Sequence, residues 1–278
     1  MDILLIILCI LLLLALLYLL AIRGRSGHKG LKDLRGWSYA HRGLHSEGIP
    51  ENSMAAFRAA LDGGYGIELD VHLLKDGNLA VMHDSDLKRT TGCSGKIEDL
   101  MAAELENYRL EGTDETIPLF RQVLELYSGK APLVVELKVS GNNYAALTET
   151  TCRMLEDYPG VYCLESFDPR CLLWLKKNRP ELIRGQLSEN YFATKNKLPF
   201  ILKLILSKNL GNFLIKPDFI AYRYRDRRST LSNRLCMRHM TGVSWTVTTP
   251  EEYDTAVKEG WLPIFEGFRP NPARRNDN

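Results

Sequence analysis

The chain lacks the compact signatures that announce many enzymes. Its six cysteines (Cys9, Cys93, Cys152, Cys163, Cys171 and Cys236) include no C-x-x-C pair. That argues against a zinc or redox motif, and a chain of 278 residues has little need of a disulfide framework. Free thiols fit a reducing compartment. No G-x-G-x-x-G turn and no Walker pattern is present, so the usual dinucleotide and P-loop sites are missing. An excess of one charge is lacking too: 36 Lys and Arg face 34 Asp and Glu, a net charge of +2. Bulk charge therefore gives no support to a nucleic-acid partner. After Gly36 no stretch rich in Pro, Gly or Ser divides the sequence into two domains.

What is present begins with Ile3 to Ile22, an apolar run with no charge inside it. About 20 residues at ~1.5 Å each span a hydrocarbon core of ~30 Å. A signal peptide would carry a positive region ahead of the run, where this chain has Asp2. The expectation is a transmembrane anchor over residues 1–22. Arg23, Arg25, Lys29, Lys32 and Arg35 follow it. They place the body on the cytoplasmic side of a single-pass membrane protein and mark residues 23–36 as a basic juxtamembrane linker. Gly24, Gly27 and Gly30 suggest that this linker is flexible.

From Trp37 onward, short apolar runs alternate with amphipathic ones. Strands are predicted at Trp37–Ala40, Ile67–Val71, Leu79–Met82, Pro132–Leu137, Val161–Leu164, Ile183–Leu187, Phe219–Tyr222, Val243–Val247 and Leu262–Phe265. Helices are predicted at Ser53–Leu61, capped by Ser53 or Asn52, at Leu119–Tyr127, through Leu147 and Leu155, and at Pro169–Lys177, Thr230–Met240 and Pro250–Lys258. About eight strand–helix repeats over residues 37–278 fit an α/β TIM (β/α)8 barrel. An open doubly wound sheet is the alternative. His41, Glu68, Asp70, Glu136, Lys138, Trp245 and Glu266 fall at or near strand C-terminal ends, the end at which barrels carry their sites.

Glu68 and Asp70 are two apart on one strand and so point the same way. Two carboxylates at that spacing repel unless a cation lies between them or one is protonated. Glu136 offers a third oxygen ligand, and three carboxylates without cysteine suit Mg²⁺ or Ca²⁺. An outward-facing pair on an edge strand is the competing reading. His41 and His83 are natural proton carriers, and Arg42 and Lys138 are cations able to hold a phosphate. His45, His72 and His239 lack such neighbours and are read as structural.

The segments His41-Arg42-Gly43, Pro50-Glu51-Asn52-Ser53, Glu68-Leu69-Asp70-Val71, Val81-Met82-His83-Asp84, Val135-Glu136-Leu137-Lys138 and Trp245-Thr246-Val247 resemble the glycerophosphodiester phosphodiesterase family, in order from about Trp37 to Pro270. The resemblance implies a TIM barrel, a divalent cation, and hydrolysis of glycerophosphodiesters to glycerol 3-phosphate and an alcohol. It implies His41 and His83 as the acid–base pair and Glu68, Asp70 and Glu136 as metal ligands. Arg42 and Lys138 would bind phosphate, and Trp245 would line the glycerol pocket. Glu51 and Asn52 match a supporting pair. At the last strand the family often has Gly-Ile-Ile-Thr-Asp, where this chain has Ile264-Phe265-Glu266, so Glu266 would stand in for the aspartate.

Residues 191–216 stand apart from these motifs. Phe200, Ile201, Leu202, Leu204, Ile205 and Leu206 are interleaved with Lys195, Lys197, Lys203, Lys208 and Lys216. Two readings remain: a barrel helix with solvated lysines, or a segment lying on a membrane. The second would admit a lysophospholipid substrate and a lysophospholipase D-type cleavage. A non-catalytic phosphodiester-binding barrel is a further alternative, with every catalytic residue type present against it.

Overall fold

Strand runs buried on both faces need a layer on each side. In the computed structural model, which describes residues 2–271, that need is met by closing the sheet on itself. The strands are β1 (Tyr39–His41), β2 (Gly66–Leu73), β3 (Leu79–Val81), β4 (Leu133–Leu137), β5 (Tyr162–Ser166), β6 (Arg184–Ser188), β7 (Phe219–Arg223), β8 (Thr241–Val247) and β9 (Trp261–Phe265). All except β3 run parallel, in the order β1-β9-β8-β7-β6-β5-β4-β2, and β1 pairs with β2 to close an eight-stranded TIM-type barrel. The strand expected at Leu79–Met82 lies outside the barrel. It pairs antiparallel with the end of β2 (Val71↔Val81) and carries His83 back over the barrel mouth.

The helices are α1 (Asp2–Ala21), α2 (Met54–Asp62), α3 (Phe120–Tyr127), α4 (Tyr144–Met154), α5 (Pro169–Asn178), α6 (Phe200–Ser207), α7 (Asn212–Ile215), α8 (Leu231–Cys236) and α9 (Pro250–Lys258), with short single turns between them. Ser53, Asp168, Thr230 and Thr249 cap α2, α5, α8 and α9, each accepting a backbone N–H. Ser53, not Asn52, is the α2 cap. The helix expected at Thr230–Met240 stops at Cys236.

Period-two alternation sorts each strand. Ile67, Leu69 and Val71 of β2, with Leu133, Val135 and Leu137 of β4, point outward onto Phe57, Phe120 and Val123 of the helix layer. Their neighbours point inward. Val134, Cys163, Leu187, Phe219, Ala221 and Val243 fill the lower barrel, and the carboxylates of Glu68, Asp70, Glu136 and Glu165 come next towards the C-terminal mouth, all buried. Gly185 is required here: a Cβ on it would meet the Phe219 ring at 2.0 Å.

α1 is 20 residues long, with its apolar side chains exposed all round. It is long and apolar enough to cross a membrane. The segment expected to be a flexible linker instead docks on the barrel. Leu31 and Leu34 are buried in the lower barrel cluster. Ile22 is 1% exposed among Ile220, Tyr222, Cys236 and Met240. Arg25 pairs with both oxygens of Asp218, at 2.6 Å each, and donates to the carbonyls of Pro180 and Leu182. Residues 23–36 therefore form the floor of the barrel. A local pattern of glycines and basic residues reads as linker because most of the partners that bury it, such as Asp218 for Arg25, lie far along the chain. Of the expected 37–278 body, residues 272–278 lie outside the described residues, as does Met1 of the expected 1–22 anchor.

This docking has a measurable consequence. The Asp218 side chain is fully buried, so Arg25→Ala strands a buried charge and should cost about 3–5 kcal/mol. Adding Asp218→Asn should recover part of the loss in denaturant unfolding. An unchanged midpoint for Arg25→Ala would mean that the segment is a linker after all.

Candidate active site

Chain reversal at the end of β1 sets up the site. Arg42 has φ 55° and Gly43 φ 80°, both in the left-handed region. Only glycine suits position 43, where a Cβ would meet Ala56 at 2.8 Å. The turn aims the Arg42 backbone N–H at Glu68 Oε2 (3.2 Å) and its guanidinium at Glu51 Oε1 (2.9 Å) and Asp70 Oδ2 (3.6 Å). Asn52, also left-handed at φ 52°, donates its amide to Asp70 Oδ2 at 2.8 Å. Asn52 thus orients a carboxylate and leaves helix capping to Ser53.

Glu68 and Asp70 face the interior, which removes the outward-facing reading, and Glu136 joins them from β4. One oxygen from each lies within 4.8 Å of the others. The Lys138 ammonium sits 3.0 Å from Asp70 Oδ1 and 2.8 Å from Glu136 Oε1. Burial raises Glu68 well above the usual carboxylate range, helped by repulsion from Asp70 and Glu136. Burial likewise raises Glu136, to about 7, against the pull of Lys138. Burial opposes ionisation of Asp70 as well, but Lys138, His83 and Arg42 overcome it and hold Asp70 well below its ordinary value.

Each histidine has a carboxylate partner of its own. His41 Nδ1 is 2.5 Å from Glu266 Oε2, and His83 Nδ1 is 2.6 Å from Asp84 Oδ1. Burial lowers His41, partly offset by its bond to Glu266. Burial lowers His83 to about 4, opposed by Asp70 and aided by Lys138 and Arg42. His41 holds Glu266 down to about 2. Both imidazoles, together with Arg42, Glu68, Glu136, Glu165, Phe167, Leu187 and Trp245, line one cavity of about 80 Å³. Phe167 and Trp245 meet edge to face at 5.4 Å, forming an apolar wall. Larger clefts, such as one of about 480 Å³ between Trp37, Tyr253 and Trp261, lie at the other end of the barrel and hold no comparable cluster.

The donor set fits a hard divalent cation. Ligand oxygens lie about 2.3–2.6 Å from Ca²⁺, so two donors of one ion can stand up to about twice that distance apart, and the 4.8 Å limit falls inside it. Glu165 Oε2, beside these ligands on β5, is buried without a hydrogen-bond partner among the described residues, as an oxygen facing a cation would be.

Residues 41–265 match the glycerophosphoryl diester phosphodiesterase family. The chain belongs to this family. It is 40% identical over 129 residues to a glycerophosphodiester phosphodiesterase of Bacillus altitudinis, a match covering 43% of this chain and 52% of that protein. It is 38% identical over 116 residues to a lysophospholipase D of Rattus norvegicus, covering 37% of this chain and 36% of that one. The match spans about half, or less, of these curated relatives. An Oleispira antarctica phosphodiesterase, solved in complex with the product sn-glycerol-3-phosphate, superposes with a TM-score of 0.68. It is 21% identical and covers 84% of this chain and 93% of that one; at that identity the likeness speaks for the fold.

Every site residue expected from the family motifs lies at or beside this cavity. Three others take no role from the sequence motifs. Asp84 orients His83. Arg89 donates to Asp84 and to both oxygens of Glu51, so it ties the His83 and Arg42 sides together. Glu165 pairs with Glu136 in the strand register; its one signal in the sequence is a carboxylate one residue past the predicted end of an apolar strand. Glu266 joins the site as the partner of His41. His72, read as structural, contacts the His83 carbonyl at 3.3 Å and Glu98 at 2.7 Å, which supports the loop holding His83.

Burial drives Glu68 and Glu136 towards the protonated form, Glu136 to about 7, so a cation held by them would displace protons. Affinity for Mg²⁺ or Ca²⁺ should fall as pH drops below about 7. Calorimetry in buffers of different ionisation enthalpy measures the released protons directly. A pH-independent affinity with no proton release would place the cation elsewhere.

Proposed function

We propose that the chain is a membrane-anchored glycerophosphodiester phosphodiesterase that hydrolyses glycerophosphodiesters to glycerol 3-phosphate and an alcohol, with His41 and His83 as its acid–base pair. One observation carries the reading: two carboxylate-oriented imidazoles and Arg42 line one cavity with Glu68 and Glu136, two of the three clustered carboxylates. Family membership supports it. The reading includes a catalytic body over residues 37–278 on the floor formed by residues 23–36, held at the cytoplasmic face by α1.

Glu68, Asp70 and Glu136 would hold Mg²⁺ or Ca²⁺, which when bound neutralises phosphate charge and acidifies a coordinated hydroxyl. The chain's own groups do the rest. Arg42 and Lys138 supply fixed positive charge for the phosphate oxygens. His83 is neutral at pH 7 and accepts the proton of the attacking hydroxyl, from water or from the glycerol moiety. His41 donates a proton to the departing alkoxide, and Glu266 stabilises its imidazolium form. The P–O bond to the alcohol breaks as the new P–O bond forms; where a glycerol hydroxyl attacks, water then opens the resulting cyclic phosphate to glycerol 3-phosphate. Trp245 and Phe167 exclude water and wall the glycerol end. A lysophospholipid substrate is a second reading, favoured by the rat lysophospholipase D match.

Turnover of glycerophosphocholine should stop in EDTA and return with added cation. His41→Ala and His83→Ala should each lower kcat by about 10²–10⁴. Full activity in either variant would overturn the role assigned to that residue. Release of choline and lysophosphatidic acid from lysophosphatidylcholine in preference to turnover of glycerophosphocholine would favour the second reading.

A further inference from the structure

Between β6 and β7 the segment Tyr191–Lys216 contains five lysines and no acidic residue. Its helix is turned the opposite way from a water-facing helix. On α6, Phe200, Ile201 and Leu202 are 67%, 61% and 44% exposed, and the exposed Phe192 ring packs edge-on against Phe200 at 5.5 Å. The polar groups lie underneath. Ser207 is buried, and its hydroxyl accepts from Tyr191 N–H while its carbonyl accepts from the Tyr222 hydroxyl. Asn209 is buried and donates to Asn233 at 2.7 Å. An apolar face turned outward and rimmed by lysines has no reason to exist in water.

Its position supplies the partner. At one end, the segment leaves β6 beside Glu189, which pairs with Arg223 at 2.8 Å on the mouth side of the barrel. At the other end it reaches the root of α1. Leu210 and Tyr18 pack on the cluster around Ile22, Asn212 donates to the Ile22 carbonyl, and Lys216 donates to the Arg23 carbonyl. Phe213 and Leu214, also exposed, continue the apolar surface along α7. The patch therefore runs from the end of α1 towards the barrel mouth.

We infer that Phe192 and Phe200–Leu202 lie in the headgroup layer of the bilayer crossed by α1, with the flanking lysines on anionic lipid, and that this contact holds the barrel mouth beside the membrane surface. The inference rests on α1 as a membrane span and is independent of the substrate. The charge fits: Lys195, Lys197, Lys203 and Lys208 flank the apolar face with no acid in the segment to repel an anionic headgroup.

The test uses the full chain reconstituted in vesicles of phosphatidylcholine and phosphatidylglycerol, with and without brominated acyl chains. Phe200→Trp adds an indole on the patch. Met101→Trp adds one at an exposed site beyond β3, away from α6. The indole added at position 200 should lose about half of its emission in bromolipid, as expected for a side chain ~5–10 Å into the boundary, while the one at position 101 keeps its emission. Lys203→Glu with Lys208→Glu should restore the emission at position 200 without releasing the protein from the vesicles. Equal emission at the two sites in protein that floats with the vesicles would overturn the inference. Emission that changes with protein concentration and not with bromolipid would assign the face to a second copy and overturn the inference equally. Failure to float at all would remove the membrane span together with the docking face.

Discussion

Four carboxyl groups crowd the upper barrel: Glu68, Asp70, Glu136 and Glu165 are all buried, with Arg42 and Lys138 as the fixed cations facing them. At an effective dielectric near 20, two like charges ~4 Å apart repel by about 4 kcal/mol, so full ionisation of this set needs further positive charge. Without it, some of the carboxyls stay protonated, which is the direction in which Glu68, Glu136 and Glu165 are driven. A cation placed among these oxygens would relieve the repulsion. Such a conflict is expected where stability is given up for a site.

The surrounding structure contains this charge. Asn52 fixes Asp70, the Arg42 turn brings a backbone N–H to Glu68, and Lys138 bridges Asp70 and Glu136. A second chain of ion pairs runs from Arg42 through Glu51 and Arg89 to Asp84, and so to His83. On the far side, Glu266 reaches His41 because β1 pairs with β9. The two residues are 225 positions apart, so this contact exists only once the barrel has closed.

Much of this is legible in the amino-acid sequence alone. Period two places Glu68 and Asp70 on one face whatever the fold, and strand–helix alternation is enough to suggest a barrel. The family motifs point to Glu136, Lys138 and both histidines. What stays hidden depends on distant partners. Arg25 and Leu31 look like linker until Asp218 and the barrel interior are seen, and Arg89 looks like a surface charge until Glu51 and Asp84 flank it. Glu165 escapes because the apolar run of its strand ends one residue before it. The apolar excess of α6 is visible in the sequence, but its outward direction is not, since a helix with so many apolar residues can bury either face.

The clustered carboxylates and the two histidines are proposed to serve one reaction at one phosphate. A crystal structure with Mn²⁺ and glycerol 3-phosphate tests it most directly. The expected result is an anomalous peak ligated by Glu68, Asp70 and Glu136, with the phosphate against Arg42 and within hydrogen-bond reach of both His41 and His83. An anomalous peak away from these three carboxylates, or a phosphate bound out of reach of both imidazoles, would contradict it.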